Sequence, residues 1–167
     1  ENVSCFGGNN GSISAGTISG GTAPYQYSIN GSDFVSTSTF EDLTAGNYTL
    51  TVRDANKCSI STNIEITQPD QLSMTPATIE NVSCFGGNDG SISAGTISGG
   101  TTPYQYSING TDFFATSTFE DLSAGNYTLT VRDANNCPIS TYIEITQPEL
   151  LEMTAATTEN VSCFDGN

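Results

Sequence analysis

A block of 79 residues occurs twice in this chain, and a third block begins after it. The six residues Glu-Asn-Val-Ser-Cys-Phe start at Glu1, at Glu80 and again at Glu159. When 1–79 is aligned with 80–158, 14 positions differ and 65 are identical. Self-similarity at a fixed period is the signature of a repeat array, in which each repeat is one structural unit. Units this small bury a modest fraction of their surface, so we expect a crosslink or a neighbour to stabilise them.

The residue pattern within each block predicts strands and no helices. In the clearest strand, apolar and polar residues alternate over 48–53, as in an antiparallel sheet with one buried face. Asn30-Gly31 predicts a hairpin turn, and a skip in the alternation at Gly16 predicts a β-bulge. The residues from Leu43 to Tyr48 resemble a tyrosine corner. Short strands separated by frequent turns are typical of an immunoglobulin-like Greek-key β-sandwich.

We therefore predict an all-β fold of tandem immunoglobulin-like Greek-key β-sandwiches, arranged end to end as a rod. Each structural unit is expected to begin after the Gln-Pro pairs at Gln68 and Gln147. Residues 1–69 then form a first repeat that lacks its first strand, 70–148 form a complete second repeat, and 149–167 supply the first strand of a third. Because the chain opens on a repeat boundary, we expect it to be an excerpt from a longer exported protein.

The net charge of the chain limits the kinds of partner that we expect it to bind. Its formal net charge is −15, from 18 acidic residues against three basic ones. An acidic surface repels phosphate backbones, so nucleic acid is not an expected partner. No run of apolar residues is long enough to span a bilayer, so membrane insertion is not expected either.

The five cysteines fall at repeat-equivalent positions. The chain has no histidine and no Cys-x-x-Cys pair, so a zinc site lacks its usual ligands and spacing. Disulfide bonds formed in an oxidising compartment account better for these residues.

Four ordered motifs resemble a known repeat. They are Val-Ser-Cys-Phe-Gly-Gly-Asn-Asp-Gly-Ser-Ile (82–92), Ser-Gly-Gly-Thr-x-Pro-Tyr-x-Tyr-Ser (98–107), Ala-Gly-Asn-Tyr-Thr-Leu-Thr-Val-x-Asp-Ala-Asn-Asn-Cys (124–137) and Ile-Thr-Gln-Pro (145–148). Both copies are similar to the SprB repeat, which occurs in tandem in very large cell-surface adhesins of gliding Bacteroidetes. The resemblance implies export by the type IX secretion system, location on the outer cell surface, and a role in adhesion or gliding motility.

The expected strand order determines which cysteines can pair. Cys5 precedes the second strand of its unit and Cys58 follows the sixth, and in an immunoglobulin-like sandwich these two strands run parallel. The two cysteines should then lie about 26 Å apart, whereas a disulfide allows about 7 Å between Cα atoms. We predict a Cys5–Cys137 bond between repeats, with the remaining cysteines pairing to repeats outside the excerpt: Cys58, Cys84 and Cys163. The alternative set, Cys5–Cys58 and Cys84–Cys137, pairs cysteines within each repeat.

The sequence gives no support for an enzyme. There is no histidine to act as a base, and Lys57 is replaced by Asn136 in the second copy. The adjacent carboxylates Glu41 and Asp42 should point apart in an extended chain, so they do not form a paired acid–base site.

Calcium is the one cofactor that the sequence allows. Asp54 with Asn56, and Asp133 with Asn135, place oxygen ligands two residues apart on a loop, as hard cations prefer. The strand order brings the second pair near Asp42 of the preceding repeat. We expect these residues to form turns and the chain to need no cofactor, with a calcium site as the alternative.

Two functions fit these observations. The first is a structural or adhesive stalk, in which neighbouring repeats are clipped together covalently and carry tension. The alternative is a module that binds polysaccharide or abiotic surfaces, stabilised by calcium at the junctions.

Overall fold

The computed structural model describes residues 1–158, and in this range the chain consists of thirteen β-strands joined by turns. Within the same residues no helix is long and apolar enough to cross a membrane. We refer to residues 1–69 as the first sandwich and to 70–148 as the second sandwich. The first contains β1 (Gly11–Ser14), β2 (Gln26–Ile29), β3 (Thr39–Leu43), β4 (Gly46–Arg53) and β5 (Ser59–Ile66). The second contains β6 (Ser73–Met74), β7 (Thr78–Glu80), β8 (Gly90–Ser93), β9 (Ile97–Ser98), β10 (Gln105–Ser107), β11 (Thr118–Leu122), β12 (Gly125–Arg132) and β13 (Pro138–Ile145).

The first sandwich has two antiparallel sheets, β1-β3 and β2-β4-β5. The chain leaves β2 through Asn30 and Gly31, whose φ angles are 50° and 75°. Two successive positive φ angles are what a tight hairpin turn requires, and the N–H of Ser32 donates to Ile29 O at 2.9 Å. The predicted hairpin is confirmed by the bridge between Tyr27 and Val35.

The second sandwich has the same arrangement with strands added at one edge. Its sheets are β7-β8-β11 and β10-β12-β13, and a short pair, β6-β9, continues beyond β7-β8. Strands β8 and β11 lie in one of the two larger sheets and β10 and β12 in the other, so the chain crosses between these sheets repeatedly from β8 to β12, as in the Greek-key connections of immunoglobulin-like sandwiches. No sheet of the described chain joins strands from both sandwiches.

Each sandwich has its own core because one face of every long strand is apolar. Leu50 and Val52 are 4% and 7% exposed in β4, and Leu129 and Val131 are fully buried in β12. The threonines between them point to the other face, where Thr51 Oγ1 lies 2.8 Å from Ser61 Oγ. The buried clusters are Val3, Ile13, Leu50 and Ile66 in the first sandwich, and Val82, Ile92, Leu129, Ile143 and Ile145 in the second.

A tyrosine corner closes the turn before β4 in the first sandwich and before β12 in the second. The Tyr48 hydroxyl donates to Thr44 O at 2.9 Å, and the Tyr127 hydroxyl donates to Ser123 O at the same distance. The predicted corner is confirmed. It anchors the turn by a hydrogen bond that leaves the tyrosine ring against the core.

The predicted bulge is wrong. At Gly95, the counterpart of Gly16, the strand is interrupted between β8 and β9. Thr78 pairs with Ser93 and Met74 with Ile97, so the register is the same on both sides and no extra residue is inserted. The partner segment contains Pro76, which has no N–H to donate to a ladder, and this accounts for the gap.

Candidate functional site at the junction of the two sandwiches

A disulfide bond joins the two sandwiches. It links Cys5 to Cys137, whose Cα atoms lie 5.7 Å apart although 132 residues separate them in sequence. This is the bond that the strand-order argument predicts, and its Cα distance is ordinary for a disulfide. The alternative set, with Cys5–Cys58 and Cys84–Cys137 bonds inside each repeat, is wrong, because Cys58 and Cys84 are free.

On the second sandwich, the turn between β12 and β13 is built around the carboxylate of Asp133. Its Oδ2 accepts a hydrogen bond from the N–H of Thr101, and its Oδ1 accepts two more from Asn135 and Cys137, each at 2.9 Å. Asp133 is only 2% exposed. Backbone donors therefore satisfy this buried charge, and the same contacts fix the position of Cys137.

On the first sandwich, a loop before β1 presents Cys5. The N–H of Ser4 donates to Asn10 Oδ1 at 3.0 Å, and Asn10 Nδ2 donates to Ser4 Oγ at 2.7 Å. The N–H of Gly7 donates to Gln68 Oε1 at 2.8 Å. Because Gln68 precedes the segment that enters the second sandwich, this contact ties the cysteine loop to the connection between the two units.

A hydrogen bond across the junction accompanies the disulfide. Asn135 Nδ2 donates to Ser4 O at 3.0 Å and also lies 3.2 Å from Thr101 Oγ1. A cleft of about 250 Å³ opens beside these contacts, and its walls include Phe6 and Leu72. The junction is thus a small, partly polar contact closed by one covalent bond.

Each sandwich also carries a counterpart of the junction element found on the other sandwich, and the cysteine of that counterpart is free. In the first sandwich, Asp54 accepts hydrogen bonds from the N–H groups of Thr22, Asn56 and Cys58 at 2.9 to 3.1 Å, as Asp133 does in the second. The Thr22 N–H, aided by those of Cys58 and Asn56, lowers the pKa of the Asp54 carboxyl, although burial acts against it. Cys58 beside it is exposed and free.

In the second sandwich, the loop that carries Cys84 repeats the Cys5 loop. The N–H of Ser83 donates to Asp89 Oδ1 at 3.0 Å, and that of Gly86 donates to Gln147 Oε1 at 2.8 Å. The Ser83 hydroxyl, followed by its N–H, lowers the pKa of the Asp89 carboxyl. Cys84 is exposed and free. The fifth cysteine, Cys163, lies outside the described residues.

Four of the five residues considered for calcium belong to turns. Asp54 with Asn56, and Asp133 with Asn135, lie in equivalent turns of different sandwiches, and their carboxylates accept backbone N–H groups. Asp42 lies in β3 with a φ of 57° and is exposed. Among residues 1–158, no group of three or more His, Cys, Asp or Glu side chains is arranged to hold a metal ion. The geometry favours the turn-forming role that the sequence also allowed.

Sequence reasoning missed two contributors to the junction. Ser4 offers only its backbone carbonyl to Asn135, and Gln68 acts from 61 residues away. The glutamine had a signal in the sequence, because Ile-Thr-Gln-Pro occurs in both copies. The carbonyl of Ser4 had no signal in the sequence, because every residue has a backbone acceptor whatever its side chain.

The family comparison agrees with the motifs. The model of the SprB repeat matches residues 1–34 and 77–113. The chain carries SprB repeats. The matched segments contain the two cysteine loops, with Cys5 in one and Cys84 in the other. No curated protein matches the chain.

Solved structures similar to the chain come from several sources. The C-terminal 282-residue fragment of intimin, in complex with the intimin-binding domain of the translocated intimin receptor, has 15% identity and a TM-score of 0.41 over 74% of this chain and 51% of that one. Extracellular domains 3–5 of Drosophila OTK have 11% identity and a TM-score of 0.38 over the same shares. The amphioxus IgVJ-C2 molecule has 11% identity and a TM-score of 0.35 over 84% and 97%. The chain thus spans about half the length of the first two.

Proposed function

We propose that this chain is a section of the stalk of a large secreted adhesin, displayed on the outer cell surface for adhesion or gliding motility. The observation that carries the proposal is the Cys5–Cys137 disulfide. Contacts between domains of one chain are usually small and let the domains move, and a covalent bond at the contact removes much of that freedom. A disulfide also fits a compartment outside the reducing cytosol. The SprB repeat supports the surface location.

The position of the disulfide favours an end-to-end arrangement. Cys5 lies in the loop that precedes β1, and Cys137 lies in the turn between β12 and β13. Both are at the ends of strands, so the sandwiches meet through loops and not through the faces of their sheets. Repeated along an array, this contact generates a rod with a covalent bond at every junction.

The disulfide also changes how the chain bears tension. When the two ends are pulled apart, the force passes directly from Cys5 to Cys137 and bypasses the residues between them. Only about 34 residues lie outside the crosslinked segment, and they extend by about 120 Å at about 3.5 Å per residue. Without the bond, all 167 residues can unravel, to about 580 Å.

Single-molecule force spectroscopy tests the proposal. We expect the oxidised protein to release no more than about 120 Å, and Cys5→Ser to release several times that length as both sandwiches unfold. Cys58→Ser is the matched control, because Cys58 forms no bond here, and it should behave like the wild type. If the oxidised wild type unravels as far as Cys5→Ser, the proposal that the disulfide carries tension is wrong. A stalk section should also leave polysaccharide arrays and abiotic surfaces unbound, whereas the alternative binding module would adhere to them.

A further inference from the structure

Two Asn-Gly pairs lie at equivalent hairpins of the two sandwiches. Asn30 and Gly31 follow β2, and Asn109 and Gly110 follow β10. All four residues are exposed. The sequences around them are nearly the same, Ser-Ile-Asn-Gly-Ser in the first sandwich and Ser-Ile-Asn-Gly-Thr in the second. The structure nevertheless gives the two pairs different hydrogen bonds.

An Asn-Gly pair has an intrinsic chemical reactivity. The backbone nitrogen of the glycine attacks Cγ of the asparagine, and the bond from Cγ to Nδ2 breaks. Nδ2 leaves as ammonia with the proton of the glycine nitrogen, and a succinimide ring remains. Water then opens the ring to aspartate or isoaspartate, so that amide and water become acid and ammonia. Glycine favours this attack because it has no Cβ and adopts many backbone conformations.

In the first sandwich, a single hydrogen bond holds the side chain of Asn30. Its Oδ1 accepts from the N–H of Thr49 at 2.8 Å. Among residues 1–158, no group accepts a hydrogen bond from the Gly31 N–H or from Asn30 Nδ2. A Cβ on Gly31 would meet no atom within 4 Å, so the turn is also uncrowded. The attacking nitrogen and the leaving nitrogen are therefore both uncommitted.

In the second sandwich, the same groups are all engaged. The N–H of Gly110 donates to Ser107 Oγ at 2.8 Å, and Asn109 Nδ2 donates to Asp112 Oδ2 at 2.8 Å. Asn109 Oδ1 accepts from the Ser107 hydroxyl at 2.9 Å, and from the N–H groups of Thr111 and Asp112 at 3.0 Å. Attack on Cγ here disrupts all of these hydrogen bonds, whereas it disrupts one in the first sandwich.

The serine that lies two residues before each asparagine differs in the same way. Ser28 and Ser107 are both fully buried. The Ser107 side chain faces the turn, where it accepts from Gly110 and donates to Asn109. The Ser28 hydroxyl instead donates to Ser32 O at 2.7 Å. The first hairpin thus lacks the contact that engages the glycine nitrogen in the second.

A third pair, Asn10 and Gly11, is held by other contacts. Asn10 Oδ1 accepts from the N–H of Ser4, and its Nδ2 donates to Ser4 Oγ at 2.7 Å. Gly11 is buried in β1, and a Cβ there would lie 2.8 Å from Leu43 O of β3. The nitrogen of Gly11 cannot approach Cγ of Asn10 unless β1 separates from β3.

We propose that Asn30 is a site of spontaneous deamidation in the folded protein, and that the second hairpin protects Asn109 from the same reaction. The reaction adds a negative charge at an exposed turn. Isoaspartate also adds a methylene to the backbone, and it displaces the oxygen that accepts from the Thr49 N–H. The product therefore weakens the end of the pairing between β2 and β4. The inference rests on local contacts and does not depend on the proposed stalk function.

Peptide mapping by mass spectrometry tests the proposal, after the oxidised chain is incubated in mildly alkaline buffer. We expect the peptide with Asn30 to convert to the acid forms at least about tenfold faster than the peptide with Asn109, because fewer hydrogen bonds must break. The reduced chain in urea is the matched control, since without the fold the two similar sequences should react at similar rates. Equal rates in the folded chain, or a faster reaction at Asn109, would overturn the proposal.

Substitution of the buried serines tests the origin of the protection. Ser107→Ala removes the acceptor for Gly110 and one donor to Asn109, so we expect deamidation at Asn109 to become at least about fivefold faster. Ser28→Ala is the matched control, and it should leave the rate at Asn30 unchanged, because Ser28 makes no contact with the reacting groups. Circular dichroism establishes that both variants are folded. An unchanged rate at Asn109 in folded Ser107→Ala would show that the second hairpin does not protect in this way.

Discussion

Asn135 and Ser4 belong to different sandwiches, and the side-chain amide of one donates to the backbone carbonyl of the other at 3.0 Å. The bond lies beside the Cys5–Cys137 disulfide, within two residues of each cysteine in sequence. It therefore holds the two thiols near each other before they are oxidised, because the Asp133 turn fixes one side and the Asn10 contact fixes the other.

Removing this hydrogen bond should make the disulfide easier to reduce. Asn135→Ala loses a hydrogen bond worth about 1 kcal/mol, so we expect the equilibrium constant for the bond against glutathione to fall by a factor of about 5. Asn56→Ala is the control, since Asn56 contacts Thr22 in the same way but has no partner sandwich. Equal effects of the two substitutions on the Cys5–Cys137 equilibrium would mean that the Ser4 contact contributes nothing.

The tyrosine corners should contribute measurably to the stability of each sandwich. Tyr48→Phe and Tyr127→Phe remove the hydroxyl donors to Thr44 O and Ser123 O. We expect a loss of about 1 kcal/mol in the free energy of unfolding of the affected sandwich, measured by urea denaturation. Tyr142→Phe is the comparison, because Tyr142 is 89% exposed, and its effect should be near zero. If Tyr142→Phe lowered the free energy of unfolding by as much, the stabilisation could not be attributed to the tyrosine corners.

The sequence predicts much of the fold because strand signals are local. Alternation around Leu50 and the turn before Tyr48 each depend on a few adjacent residues, and both appear in the structure as expected. The Cys5–Cys137 bond was predictable for a different reason. The fold class fixes which end of a sandwich each cysteine occupies, so the distances exclude pairing within a repeat.

Other features could not be read from residue types alone. The Asp-x-Asn spacing is compatible with a turn and with a calcium loop, and the N–H groups that surround Asp133 favour the turn. The skip at Gly16 looks like a bulge, because a sequence does not show where the partner strand is interrupted. The link from Gln68 to Gly7 spans 61 residues and follows no periodic pattern.

Calcium should leave the stability of the protein unchanged if the turn carboxylates act as the structure indicates. Their oxygens accept backbone N–H groups, so binding a cation would require those hydrogen bonds to break. We expect the same thermal midpoint with millimolar calcium and with chelator. Asp133→Asn should instead lower the midpoint under both conditions, because its amide group offers a donor where the Thr101 N–H needs an acceptor. A rise in the wild-type midpoint with calcium that Asp133→Asn abolishes would restore the metal site.

Asn10 of the first sandwich is replaced by Asp89 at the equivalent position of the second. This difference should make the stability of the two sandwiches depend differently on pH in acid. The pKa of the Asp89 carboxyl is held below its usual value by the Ser83 hydroxyl and N–H. A carboxyl whose pKa is lower in the folded state stabilises that state above its unfolded pKa of about 3.9, and the stabilisation disappears as the pH falls through the folded pKa. Asp89→Asn should therefore flatten the acid dependence of the second sandwich below about pH 5. Asn10→Asp should introduce the same dependence in the first. Urea unfolding at a series of pH values measures both acid dependences, when it is followed by amide signals that resolve β4 from β12. Parallel stability profiles for the wild type and Asp89→Asn would contradict the role assigned to Asp89.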